Sequence, residues 1–311
     1  MPLALSIIVC TYNRAALIAD CLNALLAQTL EKTQYEILVI DNNSKDQTKE
    51  IVTGIANNNP IVTYFREENQ GLSFTRNRGW REARGQYIAF IDDDARASAD
   101  WCERLIHIFT NVKPTPVAAG GKILPWYEAK PPRWFHERFE TRTWGDKADW
   151  LPERKLKTGF SGSNMAFPKD ILQKYGGFNT SYGMQGDAIR MSEDTEFFFR
   201  MSRNGETCFW YDPDLKVSHW TPPRNFTLKY RYRRSYEGGR ARARIHEHRL
   251  GIRRYCSTLM SETTSHCKLI IPLPFWVAFS QEYVQKSAEL LFQHAYSLGY
   301  LLGSSVVRRR K

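Results

Sequence analysis

Four apolar runs of strand length alternate with segments of helical period in the first part of the chain, and this alternation limits the chain to few folds. The runs are Ser6-Ile7-Ile8-Val9-Cys10, Glu36-Ile37-Leu38-Val39-Ile40, Ile61-Val62-Thr63-Tyr64-Phe65 and Tyr87-Ile88-Ala89-Phe90-Ile91. Continuous apolar runs mark strands buried on both faces, the condition of a parallel sheet. After the first run, Leu17, Ile18, Cys21, Leu22, Leu25 and Leu26 recur at helical spacing. Further helices are predicted from about Lys45 to Ala56 and over Leu72 to Ala83. Short loops join these segments, so the expected architecture is α/β: an open, mostly parallel, Rossmann-like sheet flanked by helices.

Ligands of such sheets gather outside the carboxyl ends of the strands. Thr11, Tyr12, Asn13 and Arg14 follow the first run, Asp41 the second, and Asp92-Asp93-Asp94 the fourth. Side chains on a strand alternate, so Asp92 and Asp94 point the same way and Asp93 points elsewhere. Converging carboxylates at a buried strand end are costly unless positive charge lies between them, and Mg2+ or Mn2+ supplies it. The structural alternative is an acidic turn that caps the next helix. Taken singly, Tyr12 reads equally as a packing ring and Asp41 as a helix cap. Taken together, these strand ends look like a nucleotide site. Neither GxGxxG nor GxxxxGK[ST] occurs, so metal and arginine must hold phosphate. Arg76 and Arg78 on the third helix are the candidates, and a solvated helix face is the alternative for either.

Beyond the acidic run a helix is expected from Trp101 to Phe109 and a strand over Val117 to Gly121. Residues 125–152 form an insert with Trp126, Trp134, Trp144 and Trp150, whose rings either stack on acceptor sugars or pin the loop to the domain. Thr158 to Phe167 (TGFSGSNMAF) is rich in small residues that let backbone approach a ligand. Ser192-Glu193-Asp194-Thr195-Glu196 is a second acidic centre, explained either as a capped helix start or as the seat of a general base. His219 stands alone after a strand-like region.

Ser6 to Arg14 (SIIVCTYNR), Leu38 to Thr48 (LVIDNNSKDQT), Asn69 to Gly79 (NQGLSFTRNRG) and Phe90 to Asp94 (FIDDD) together resemble the nucleotide-binding half of family 2 glycosyltransferases of the GT-A fold. The resemblance covers about residues 4 to 220. It implies an inverting sugar transfer from a nucleotide-sugar donor, with Mg2+ or Mn2+ as cofactor. Tyr12 would lie against the base and Asp41 would bond to it, with Thr11, Arg14 and Arg76 also at the nucleotide. Asp92 would contact the ribose or metal shell, and Asp94 would ligate the metal. The Glu-Asp pair implies Asp194 as the base and Glu193 as its support, and His219 as a further metal or diphosphate ligand.

The first domain is therefore expected over 1–220 and a basic, helical extension over 221–311. Of the formal net charge of +11, a surplus of nine falls between Thr221 and Arg254, with eleven Lys or Arg against two Glu. A helix is predicted from about Leu228 to Tyr255, broken at Gly238-Gly239. Leu269 to Phe279 is too short and too rich in proline to span a bilayer, and His246 and His248 do not share a helix face. Basic helices beside apolar aromatic segments, with Arg308-Arg309-Arg310-Lys311 at the end, suit either peripheral contact with an anionic membrane or a subdomain packed on the sheet. Six scattered cysteines without a CxxC pair, and no secretory pattern at the start, lead to the expectation of a cytoplasmic protein at the inner face of the membrane. The expected partners are the donor and a glycan or lipid-linked acceptor in surface polysaccharide synthesis. Two rivals remain: a nucleotidyltransferase that makes sugar nucleotides, and a nucleic-acid-binding protein acting through the basic tail, although nucleic acid is not the expected partner.

Overall fold

The computed structural model describes residues 3–186, 191–245 and 281–307. Strands β1 (Leu5–Thr11), β2 (Tyr35–Asp41), β3 (Val62–Arg66) and β4 (Tyr87–Asp92) alternate with helices α1 (Ile18–Leu26), α2 (Thr48–Asn58) and α3 (Leu72–Glu82). Then follow β5 (Ala95–Ala97), α4 (Trp101–Asn111), β6 (Ala118–Tyr127), β7 (Asp149–Trp150), α5 (Glu153–Leu156), β8 (Met165–Pro168), α6 (Lys169–Tyr175), α7 (Glu193–Arg203) and β9 (Phe209–Thr221). The sheet order is β3-β2-β1-β4-β8-β6-β9-β5, with β7 beside β9.

The half from β3 to β4 is parallel, with β1 paired to both β2 and β4. Strand β8 then runs antiparallel to β4 and to β6, and β9 antiparallel to β5 and β7. The chain winds outward from β1 through β2 to β3, then crosses back to place β4 on the other side of β1. That reversal opens a crevice at the carboxyl ends of β1 and β4, the switch point where such sheets bind ligands.

Period-two alternation accounts for the two-faced core. Ile7 and Val9 of β1, Ile37 and Val39 of β2, and Ala89 and Ile91 of β4 pack on one face with Leu22, Leu25, Trp101 and Leu105. Ile8, Leu38, Ile40, Ile88 and Phe90 pack on the other with Trp80, Phe197 and Phe198. Helix α3 lies against the second face. A Cβ on Gly79 would stand 2.3 Å from Ile8 Cγ2, so glycine sets how closely this helix approaches the sheet.

The chain divides into two compact units. The first comprises residues 1–126, 140–188 and 193–220 and holds the sheet. The second comprises 127–139, 189–192 and 221–311, within which lie α8 (Leu228–Ile245) and α9 (Gln281–Val307). Helix α8 passes unbroken through Gly238-Gly239, contrary to the break expected there. The glycines serve helix packing: a Cβ on Gly239 would stand 1.9 Å from the Tyr296 carbonyl oxygen, and one on Gly299 1.9 Å from that of Tyr236. Contacts advance together, with Gly299 at Tyr236 and Gly303 at Arg240 and Ala243, so the two helices run parallel. Trp134, Phe135, Phe139 and Phe292 form an aromatic cluster in this unit, and the Arg231 guanidinium lies over Phe135. Residues 246–280 and 308–311 lie outside the described residues, and with them His246, His248, the Leu269 to Phe279 stretch and the terminal basic run.

Gly79→Ala is expected to lower stability by about 1–3 kcal/mol through overpacking against Ile8. Gly54→Ala in α2, where a Cβ meets nothing within 4 Å, should raise it by roughly 0.5–1 kcal/mol. Urea unfolding midpoints of the two variants distinguish the sites.

Candidate active site

The loops after β1 and β2 are laced together at the crevice. Asn13 and Asn43 adopt left-handed backbone with φ of 52° and 68°, a conformation that asparagine tolerates better than most residues. The Asn13 N–H donates to Ser44 Oγ at 2.9 Å, and the Lys45 N–H donates to Asn13 Oδ1 at 2.7 Å. Asp41, buried, accepts from the Ser44 N–H and hydroxyl at 2.9 and 2.5 Å, and from the Tyr64 hydroxyl at 2.7 Å. It therefore braces its own turn, with lone pairs left on the crevice side of the bookkeeping for any further donor. Tyr12 is half-buried at the rim and Thr11 is buried with no hydrogen-bond partner for its hydroxyl.

Strand β4 ends at Asp92, and the turn through Asp93 and Asp94 brings Asp94 back beside Asp92, where β9 brings His219 to meet them. One ligand atom from each of the three lies within 4.8 Å of the others. His219 Nε2 is 3.4 Å from Asp92 and 3.2 Å from Asp94. The pairing of Ala95 with His219 across β5 and β9 holds the histidine in place, which no local pattern reveals. Burial disfavours the imidazolium, but the Asp94 and Asp92 carboxylates outweigh it and raise His219 to about 9. Burial likewise opposes ionised Asp92, yet His219 and Arg76 bring it down to about 2. Asp94 Oδ1 is buried and makes no well-formed hydrogen bond, the nearest donor being His219 Nε2 at 3.2 Å. Two carboxylates and one imidazole fit a divalent cation in chemistry.

Asp93 points away from this cluster and meets Arg14 at 3.3 Å, while the same guanidinium reaches Asp94 at 3.5 Å. Burial and the neighbouring Asp94 charge raise Asp93 to about 7 despite Arg14. Trp220 lies beside Arg14, its ring centre 5.9 Å from the guanidinium carbon.

The two arginines of α3 separate. Arg78 faces outward and pairs with Glu82 one turn on at 2.8 Å. Arg76, 2% exposed, joins the two acidic centres: it is 2.6 Å from Glu193 and 3.7 Å from Asp92. These charges hold its pKa above the usual arginine range although burial alone would lower it. Asp194, next to Glu193 at the start of α7, accepts from the Gly162 N–H at 3.1 Å and from the Thr195 N–H at 2.6 Å.

Gly162 is the site residue that sequence reasoning did not single out. A Cβ there would stand 2.0 Å from Arg76 Nη2. Only glycine lets this backbone serve Asp194 while the guanidinium passes beside it. The small residues of Thr158 to Phe167 thus make room for an arginine from α3, and the signal was the composition of the stretch without its reason. The tryptophans of the insert are largely packed: Trp144 against Phe160 and Tyr211, Trp150 against Trp210, Trp134 in the second unit's aromatic cluster. Trp126 is exposed, with the Arg96 guanidinium carbon 4.2 Å from its ring centre.

The family model for glycosyl transferase family 2 matches residues 6–176. The chain is 29% identical over 217 residues to glucosyl-dolichyl phosphate glucuronosyltransferase of Haloferax volcanii, covering 69% of this chain and 68% of that protein. It is 28% identical over 244 residues to succinoglycan biosynthesis protein ExoM of Rhizobium meliloti, covering 76% and 73%. Among solved structures, mannosyltransferase PcManGT from Pyrobaculum calidifontis in complex with GDP-Man and Mn2+ has a TM-score of 0.61 at 18% identity, covering 98% of this chain and 88% of that one. S. aureus TarS 1-349 in complex with UDP-GlcNAc has a TM-score of 0.56 at 18% identity, covering 99% and 92%.

Removing the buried guanidinium strands the Glu193 carboxylate and leaves Asp92 to His219 alone, so Arg76→Met is expected to cost about 3–5 kcal/mol of stability. Arg76→Met with Glu193→Gln should cost less than Arg76→Met alone, because one stranded charge is gone. Denaturant unfolding of both variants measures the coupling.

Proposed function

Because the chain belongs to glycosyltransferase family 2 and has the GT-A fold, we propose that it is a metal-dependent, inverting hexosyltransferase. In this reading it moves a sugar from a nucleotide-diphosphate donor, in the first instance a UDP-sugar, to a glycan or lipid-linked acceptor of surface polysaccharide synthesis. The observation that carries the reading is the Asp92, Asp94 and His219 cluster, one buried guanidinium away from the helix that bears Asp194. The name of the Haloferax relative, which specifies a glucosyl-dolichyl phosphate substrate, supports the lipid-linked acceptor.

A bound Mg2+ or Mn2+ would set positive charge against the donor diphosphate and ease the departure of the nucleotide. Asp92, Asp94 and His219 would hold it, and the imidazole favours Mn2+ over Mg2+. Thr11, Tyr12, Arg14 and Asp41 line the nucleotide, with Tyr12 offering a ring to the base. Arg76 acts from behind, keeping Asp92 ionised on one side and Glu193 in place on the other. Asp194 takes the proton of the acceptor hydroxyl as that oxygen attacks the anomeric carbon opposite the leaving nucleotide, which inverts the centre in one displacement. Gly162 and Thr195 orient the carboxylate by their N–H groups. A nucleotidyltransferase would instead need a glycine-rich, basic phosphate loop after β1, where this chain has Thr11-Tyr12-Asn13-Arg14.

Thermal unfolding with UDP, GDP, CMP or dTDP, each with and without Mn2+, tests the reading. UDP should stabilise the protein only with Mn2+, and Asp94→Ala should abolish the effect. If no nucleotide stabilises the folded protein under either condition, the reading fails.

Mn2+ must displace the proton that His219 holds up to about 9. Apparent Mn2+ affinity should therefore fall about tenfold per pH unit below that value. Calorimetric titration across pH measures this slope, and His219→Gln should flatten it. Asp194→Asn should leave nucleotide-dependent stabilisation intact while lowering turnover about 10²–10⁴-fold.

A further inference from the structure

Helix α8 carries a charge pattern that sugar transfer does not use. At about 100° per residue, Lys229, Arg233, Arg240 and Arg244 fall within roughly 60° of one another, a stripe about 23 Å long. Lys229, Arg233 and Arg244 are exposed, and none has an ion pair among the described residues. Arg240 pairs with Glu237 at 3.2 Å, the one acidic residue in the helix. Arg231 differs in kind: it is buried, bonded to the Asn225 carbonyl at 2.8 Å and set over Phe135, while Arg234 and Arg242 are half-buried. The helix thus uses one arginine inside for packing and presents a row of cations outside.

Exposed cations with no ion pair among the described residues repel one another and are stabilised by a polyanion. One further feature favours a lipid surface over nucleic acid. The parallel neighbour α9 presents Tyr283, Lys286 and Leu290 on one face, with Tyr283 41% and Leu290 45% exposed. An exposed leucine and an amphipathic tyrosine gain by entering a head-group layer and gain little beside a phosphodiester backbone. No described helix is long and apolar enough to cross a membrane.

We propose that the exposed cations Lys229, Arg233 and Arg244 of α8, aided by Tyr283 and Leu290 of α9, dock the protein on an anionic phospholipid membrane. Docking would bring the enzyme to acceptors held in that membrane. The proposal does not depend on the donor reading, since lipid binding is measured without donor, acceptor or metal.

The test is co-sedimentation of the full-length protein with vesicles of phosphatidylcholine and phosphatidylglycerol in equal amounts, beside vesicles of phosphatidylcholine alone, at physiological ionic strength. The triple variant Lys229→Ala, Arg233→Ala, Arg244→Ala removes these cations with the best helix former. Each cation near such a surface contributes about fivefold in binding, so the triple variant should bind about a hundredfold more weakly. A control triple variant, Arg154→Ala, Lys155→Ala, Lys157→Ala, removes equal charge from exposed positions near α5 and should bind as wild type. Circular dichroism confirms that both remain folded. Equal loss in both triple variants would reduce the effect to net charge and overturn the proposal. So would equal binding of both vesicle types, or no binding to either. Retention of a duplex oligonucleotide that needs the same three residues, without vesicle binding, would overturn it in favour of nucleic acid.

Discussion

The site depends on one buried guanidinium. Arg76 comes from α3, yet its partners lie at the end of β4 and the start of α7, and without its charge Asp92 and Glu193 would be two acids in a low-dielectric crevice. Several otherwise unconnected features follow from it. Gly79 seats α3 tightly enough on the sheet to aim the arginine at the carboxyl edge of the strands. Gly162 leaves the space that the guanidinium fills and turns its N–H to Asp194. Asp92 keeps its ionised form because cations reach it from separate elements, Arg76 from α3 and His219 from β9.

Charge is divided within the acidic run by the turn that follows β4. Asp92 and Asp94 face His219, while Asp93 faces Arg14, which also reaches Asp94, so three adjacent carboxylates share two counter-charges on opposite sides. Their pKa values diverge accordingly, Asp92 to about 2 and Asp93 to about 7. Asp94 is shared between two cations, its Oδ1 3.2 Å from His219 Nε2 and its Oδ2 3.5 Å from Arg14. In the second unit the buried Arg231 is satisfied by aromatic faces and a carbonyl, while Lys229, Arg233 and Arg244 of α8 are exposed.

The parallel half of the fold was legible because each strand carried its own signal, a continuous apolar run closed by a polar turn. Asp92, Asp94 and Asp41 were legible for the same reason, since the end of a strand in such a sheet is already a position in space. The antiparallel half was less so. Strands β5 and β7 are three and two residues long, too short for any period, and they exist only because β9 offers them a partner. Gly238-Gly239 was read as a helix break because propensity is local, whereas its close packing on α9 is not.

The sequence by itself determined the alternation of strand and helix, the acidic strand end, the family resemblance and the concentration of positive charge after residue 220. Those properties are written in neighbouring residues, where period, turn chemistry and composition act. Only the tertiary structure decided which charges meet. The pairing of Arg76 with Glu193 spans 117 positions, that of Gly162 with Asp194 spans 32, and His219 reaches Asp92 only through the crossing of β9 past β5. Electrostatic contacts act through space and fall with distance, so separation along the chain carries no record of them.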